Sequence, residues 1–245
     1  METKLLGAWS ILGREALRIV LPSWCAACER ELPWRDRMAS CCGPCWSSLP
    51  RIDATKCRSC ALPWEGPAIE NYVCLDCQLH PLPVEWCDAW GHYRGALEKL
   101  VQAFKFERHD FLDDAFAGLL EETLLARGDA AFDAIVPVPM HRAKERRRGY
   151  NQAELIARAL AKRIGSRCHP SLLTKTAERA TQSTLDRSHR AANVHGVFAA
   201  SKSAKGRSIL LVDDVCTTGE TLRACAAQLV RAGAGRVCAI AVAKA

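Results

Sequence analysis

Ile209-Leu210-Leu211-Val212-Asp213-Asp214-Val215-Cys216-Thr217-Thr218-Gly219-Glu220-Thr221 is the stretch that decides the fold. Four apolar residues run directly into two carboxylates. A loop of hydroxyl and glycine residues follows, and Leu222, Ala226 and Leu229 then recur at helical spacing. An uninterrupted apolar run of this length predicts a strand buried on both faces, as in a parallel sheet. Its acids then stand at the carboxyl end, where open α/β sheets place ligands. The loop and first helical turn offer unpaired backbone N–H groups and about half a unit of positive charge, which suits a phosphate. A solvated acidic turn capping the next helix is the plainer alternative, but it does not account for two acids followed by T-T-G-x-T. The chain carries neither the G-K-[ST] of a P-loop nor a G-x-G-x-x-G. Gly233 and Gly235 come after the helix, where glycine fits its C-terminal stop.

The same stretch resembles the 5-phosphoribosyl-1-pyrophosphate (PRPP) motif of type I phosphoribosyltransferases. The resemblance implies that Asp213 and Asp214 hold the ribose hydroxyls, directly or through magnesium. It also implies that Val215, Cys216, Thr217, Thr218, Gly219, Glu220 and Thr221 wrap the 5′-phosphate.

Outward from this motif, apolar runs alternate with helical patterns. Trp86 to Tyr93 reads as a strand. Leu97, Leu100, Val101 and Phe104 mark one helix, and Leu112 to Leu124 a second, with Asp113 and Asp114 as solvated surface. Asp133 to Pro139 reads as a buried strand stopped by prolines. A basic loop and a helix over 151–164 follow, with Asn151 as its N-cap. Short strands at Leu172-Leu173 and Val197-Phe198 flank a long polar excursion, and Val237 to Val242 is the last strand. Such alternation predicts an α/β fold with a mostly parallel sheet flanked by helices.

Fourteen cysteines are concentrated at the other end, ten of them between residues 25 and 87. Eight form C-x-x-C pairs: Cys25/Cys28, Cys42/Cys45, Cys57/Cys60 and Cys74/Cys77. The set repeats with a shift of 32 residues, and Leu32-Pro33-Trp34 is answered by Leu62-Pro63-Trp64, which marks an internal duplication. A secreted disulfide framework would need an export signal, and none is visible. A thioredoxin-like dithiol wants one C-x-x-C after a strand, not four in register. Two four-cysteine zinc ribbons use every pair, and a region this small lacks the core to fold unaided. The simplest assignment gives one structural zinc to Cys25, Cys28, Cys42 and Cys45 and another to Cys57, Cys60, Cys74 and Cys77. Substitution of Cys41 for Cys42 and interleaving between the repeats stay open. So many thiols imply a reducing cytoplasm.

The expected organisation is an amphipathic N-terminal helix over 1–22, a small double zinc ribbon over 23–82, and a phosphoribosyltransferase-like domain over 86–245. Leu5, Trp9, Leu12, Ala16 and Ile19 set the helical stripe. Arg14, Glu15 and Arg18 exclude a membrane span or secretory leader there. The net charge of +7 is clustered, with Arg142, Lys144, Arg146, Arg147 and Arg148 inside seven positions and only Glu145 opposing them. Such a run is a solvated face or a surface for polyphosphate or nucleic acid. Pro139, Arg147, Arg148, Gly149, Asn151 and Gln152 would receive pyrophosphate, arginine binding its oxygens through a planar fork. The excursion with Gln182, Arg190 and Asn193 is long for a simple connection and reads as a flexible binding loop, with plain disorder as the alternative. Trp24, Trp34, Trp46 and Trp64 are candidates for stacking on bases, with burial beside the ribbons the plainer expectation.

Taken together, the ribbon cysteines, Val136-Pro137-Val138-Pro139, Arg148-Gly149-Tyr150-Asn151-Gln152 and the acid-pair loop make the chain resemble the ComF/GntX family. The spaced set Thr181, Gln182, Leu185, Arg190, Asn193, Gly196 and Phe198 belongs to the same resemblance. It implies a cytoplasmic role in natural transformation or in use of external DNA, with single-stranded DNA and the DNA-uptake machinery as partners. Three functions stay open: a DNA-uptake accessory that binds PRPP, an active transferase using PRPP and magnesium on a nucleobase or amine, and a non-catalytic PRPP sensor. The first is favoured.

Overall fold

The computed structural model describes residues 24–33, 40–53, 55–106, 112–176 and 197–245. The expected N-terminal helix and the loop residues Gln182, Arg190 and Asn193 lie outside the described residues. In chain order the elements are α1 (Gly43–Ser47), α2 (Leu75–Leu79), β1 (Cys87–His92), α3 (Gly95–Phe106), α4 (Leu112–Arg127), β2 (Ala134–Pro137) and α5 (Arg142–Arg148). There follow α6 (Gln152–Arg163), β3 (Leu173–Lys175), β4 (Phe198–Ala200), β5 (Ser208–Cys216), α7 (Glu220–Arg231) and β6 (Arg236–Lys244). The chain forms two compact units, Met1–Pro50 with Arg94–Leu112 and Arg51–Tyr93 with Asp113–Ala245. The first cysteine quartet therefore falls in one unit, and the second quartet shares the other with the sheet.

In the first unit, Pro44 opens α1, a position where the missing N–H costs nothing. The Ala26 N–H donates to the Ser40 carbonyl at 2.9 Å. Lys99 on α3 donates to the Ala27 carbonyl at 2.8 Å. Leu97, Leu100, Val101 and Phe104 are fully buried, as their helical spacing requires.

The second unit is built on a four-stranded, all-parallel sheet in the order β1-β6-β5-β2. Ile209 to Val212 on β5 and Cys238 to Ala243 on β6 are wholly buried, because these central strands are covered on both faces. Loop segments pair with both edge strands and shield their ladders. Beside β1, the Ile52 N–H donates to the Trp90 carbonyl at 3.0 Å and the Cys87 N–H to the Arg58 carbonyl at 2.7 Å. Lys56 fills the gap between them, donating to the Ala89 carbonyl at 3.1 Å and pairing with Asp88. Asp88 is only 4% exposed, and its second oxygen meets Arg127 at 2.9 Å. Beside β2, Ile135 exchanges backbone bonds with Arg167 and His169 at 2.9 and 2.8 Å. β3 and β4 form a separate antiparallel pair.

One expectation changes. The basic segment is a helix, α5, and not a loop. Alanine, arginine, lysine and glutamate are all good helix formers. His141 Nδ1 caps the start by accepting the Ala143 N–H at 3.2 Å, and Gly149 ends it at φ 97°, a conformation only glycine adopts freely.

Candidate functional site

The acids lie near the carboxyl end of β5. Asp213 is half-buried and Asp214 is 9% exposed. The Asp214 N–H donates to Asp213 Oδ1 at 2.9 Å. Beyond them Val215 is half-buried, Cys216 is buried, and Thr217, Thr218, Glu220 and Thr221 are exposed on the loop and the first turn of α7. Gly219 is the N-cap of α7 at φ 79°, a backbone conformation that disfavours any side chain. A Cβ there would stand 3.5 Å from Leu82 Cδ2, an ordinary packing distance, so conformation and not space selects the glycine. Lys244, at the end of β6 and 7% exposed, donates its ammonium to the Thr217 carbonyl. A buried cation therefore stands directly under the loop.

β2 ends on the neighbouring strand, with Pro137 opposite Val212, one residue before Asp213. Parallel neighbours lie about 4.8 Å apart, so the segment leaving β2 emerges next to the acids. Asn151, the N-cap of α6, accepts the Ala153 N–H at 3.2 Å and donates to the Val138 carbonyl at 3.1 Å, fixing the two ends of that segment. Gln152 is 1% exposed and accepts from Arg148 at 2.6 Å through Oε1. Its Nε2 has no acceptor among the described residues. A buried amide donor left unpaired costs on the order of 1–3 kcal/mol.

A cleft of about 420 Å³ opens here, lined by Pro137, Pro139, His141, Arg142, Asn151 and Lys175. Glu145 and Glu154 also line it, so it is mixed in charge. Of the residues expected at the pyrophosphate position, Pro139 and Asn151 face the cleft, while Arg147, Arg148, Gly149 and Gln152 are outside its lining. Asp213, Asp214 and the 215–221 loop adjoin it across one strand spacing without lining it.

The cysteines gather in sequence order. The sulfurs of Cys25, Cys28, Cys42 and Cys45 lie within 4.8 Å of one another, and so do those of Cys57, Cys60, Cys74 and Cys77. Sγ atoms stand 3.8 Å apart for Cys28 and Cys42 and 3.7 Å for Cys60 and Cys74. Tetrahedral zinc with sulfur at about 2.3 Å sets ligands about 3.8 Å apart, so both quartets have the spacing of a metal site. The Cys42 N–H reaches Cys25 Sγ and the Cys74 N–H reaches Cys57 Sγ, both at 3.3 Å. The bond with Cys60, together with N–H groups of Cys74, Ser59 and Cys60, pulls the Cys57 thiol down to about 4 against the effect of burial. For Cys25, burial is outweighed by N–H groups of Cys42, Cys28 and Ala27, and the thiol falls to about 6. Cys41 stands beside the first quartet with its thiol 3.5 Å from the Cys42 carbonyl, and burial raises it to about 12. Four thiolates with no open position make these structural zinc sites.

Two contacts escape the linear sequence. Lys244 is one lysine in a terminal strand, with nothing nearby to single it out. Cys216 buries its thiol 3.7 Å from the Cys60 carbonyl, a contact across 156 residues that no local pattern announces. Among the tryptophans, Trp24 is 57% exposed beside the first quartet, where burial is the plainer expectation. Trp64 stacks on Tyr72 at 5.0 Å, and Trp34 lies outside the described residues.

Comparison with known proteins agrees with this anatomy. Residues 16–78 match the family described as a double zinc ribbon domain, and residues 116–245 match the phosphoribosyl transferase domain. The DNA utilization protein YhgH of Escherichia coli K12 is 31% identical over 227 residues, covering 89% of this chain and 96% of its own length. Competence protein F of Haemophilus influenzae is 29% identical and covers 85% of each chain. Competence protein ComFC of Bacillus subtilis is 27% identical and covers 78% of each.

Proposed function

Because this chain belongs to the family that joins a double zinc ribbon to a phosphoribosyl transferase domain, with competence and DNA utilization proteins as its relatives, we propose that it handles single-stranded DNA and binds magnesium–PRPP at the β5–α7 loop. The observation that carries the ligand is the loop itself. Two acids in the end of a buried strand lead into a loop whose glycine is αL, and a buried lysine stands beneath it. Asp213 and Asp214 would hold the ribose hydroxyls, directly or through a magnesium ion that would supply charge neutralisation. Thr217, Thr218, Gly219 and Thr221 take the 5′-phosphate at the start of α7. The pyrophosphate runs toward the segment leaving β2, where Pro139 and Asn151 line the cleft and the buried Gln152 holds Arg148.

The DNA contacts are assigned to the cations of α5 and to the exposed Trp24. Arg142, Lys144, Arg146 and Arg147 are all exposed, and phosphodiester binding requires such cations. An aromatic face open to solvent offers a base a stacking platform. The DNA-uptake machinery is the partner that the relatives' names suggest. The unpaired cysteines and zinc thiolates suit a reducing cytoplasm, and no helix among the described residues is long and apolar enough to cross a membrane.

A second reading, active transfer from PRPP to a nucleobase or amine, is favoured by the cleft of about 420 Å³ beside the acids, since an acceptor needs that room. Calorimetry with magnesium–PRPP, followed by a search for pyrophosphate release in the presence of nucleobases, separates the two. Binding with no release across all acceptors leaves a PRPP-sensing accessory; no binding at all ends both readings.

A further inference from the structure

The second zinc knuckle does more than fold its own ribbon. Cys60 gives its sulfur to the quartet, with Sγ 3.7 Å from that of Cys74, while its carbonyl accepts from the Cys216 thiol at 3.7 Å. Cys216 ends β5 and opens the loop that leads to Gly219. The turn around Cys60 is closed by the Cys60 and Ala61 N–H groups donating to the Cys57 carbonyl at 3.3 and 2.8 Å. The carbonyl facing Cys216 is therefore held in place by the geometry of the knuckle.

Two further contacts join the exit of the same ribbon to the same loop. Leu82 packs over Gly219, its Cδ2 3.5 Å from the position a Cβ would take. Arg223, one turn into α7, donates to the Pro81 carbonyl at 2.6 Å. Cys57, Cys60, Cys74 and Cys77 belong to one continuous core with Leu82, Cys216, Leu222 and Ala226. The loop thus touches both the knuckle and its exit.

We infer that zinc in the Cys57/Cys60/Cys74/Cys77 knuckle and a phosphoribosyl ligand at the β5–α7 loop bind cooperatively, with Cys216, Leu82 and Arg223 as the positioning residues. The knuckle's turn is drawn together by its four metal-binding sulfurs, so loss of the metal loosens it. The Cys60 carbonyl and Leu82 then lose fixed positions, and the loop must be ordered at the ligand's expense. Linkage makes the effect reciprocal: a ligand that orders the loop tightens the metal by the same factor. The inference rests on the assignment of PRPP to this loop.

The test is an equilibrium zinc competition against a chelating dye, on the full zinc-loaded chain, with magnesium alone and with magnesium–PRPP. PRPP is expected to raise the affinity of one zinc by about tenfold, within the usual range of coupling between sites. Cys216→Ala and Leu82→Ala should bring that factor close to one. A variant with the first quartet disabled, Cys28→Ser with Cys45→Ser, should retain the responsive zinc. Calorimetry on the same samples separates the failures. PRPP that binds while neither zinc changes affinity overturns the coupling and leaves the ligand assignment standing. No PRPP binding to the zinc-loaded chain overturns both.

Discussion

Arg236 at the start of β6 clasps Asp129, its Nη1 3.0 Å from Oδ1, and reaches Glu85 with its Nε at 2.8 Å. The amino end of a central strand is thereby tied to the segment after α4 and to the one before β1. The bond from Arg236 holds the Asp129 carboxyl below the usual range against the cost of burial, helped by the Trp86 indole N–H at 2.8 Å. Because the folded-state value is depressed, the stabilisation is present above the unfolded carboxylate value of about 4 and is lost as pH falls through the folded one. Asp129→Asn should cost about 1–3 kcal/mol at pH 7. In urea melts the gap between variant and wild type should close progressively below about pH 4.

The two quartets make a countable claim. Elemental analysis should find about two zinc per chain. Cys41→Ser should keep both, and Cys42→Ser should lose one, since Cys42 supplies the sulfur that stands 3.8 Å from that of Cys28. Loss of zinc from the Cys41 variant with retention by the Cys42 variant would reverse the ligand assignment.

Much of this architecture is legible in the residues themselves, and the exceptions have physical causes. The β5 run and the α7 stripe can be read directly because a doubly covered strand and an amphipathic helix each leave a periodic trace. The duplicated C-x-x-C pairs announce two metal sites, but spacing cannot choose between adjacent Cys41 and Cys42. That choice is made by the folded turn, which brings the Cys42 sulfur to 3.8 Å from that of Cys28. α5 escapes a periodicity reading because all its residues are polar or small, and only the cap at His141 and the stop at Gly149 mark it. The closure of β1 by residues 51–58, and the bonds from Lys244 to Thr217 and Cys216 to Cys60, are long-range pairings with no local signature.

Single-stranded DNA binding through phosphates should weaken steeply with salt, with a log–log slope near −0.7 per neutralised phosphate. Replacing Arg142, Lys144, Arg146 and Arg147 by glutamine should flatten the slope by about 0.7 for each of these cations that meets a phosphate. Trp24→Ala should weaken binding by about 1–3 kcal/mol without changing the slope, because stacking carries no counterion release. A flat salt response of the wild-type chain would remove the DNA assignment.

Gln152 offers a test that separates ligand from fold. Gln152→Glu preserves an acceptor for Arg148 and removes the unpaired Nε2 donor, while adding a negative charge near the pyrophosphate. Secondary structure and zinc content should be unchanged. Magnesium–PRPP affinity should fall about tenfold, the scale of a like charge placed near the pyrophosphate at an intermediate dielectric. Equal affinity would detach the α6 start from the ligand.

The most direct measurement is calorimetric titration of magnesium–PRPP into the zinc-loaded chain and into its Asp213→Asn/Asp214→Asn double variant. The expected result is saturable binding to the wild type at one site per chain, weakened at least about a hundredfold in the variant, as removal of two charged partners requires. Binding that survives both substitutions unchanged, or a wild-type chain that takes up no PRPP, would contradict the assignment of a phosphoribosyl group to the end of β5.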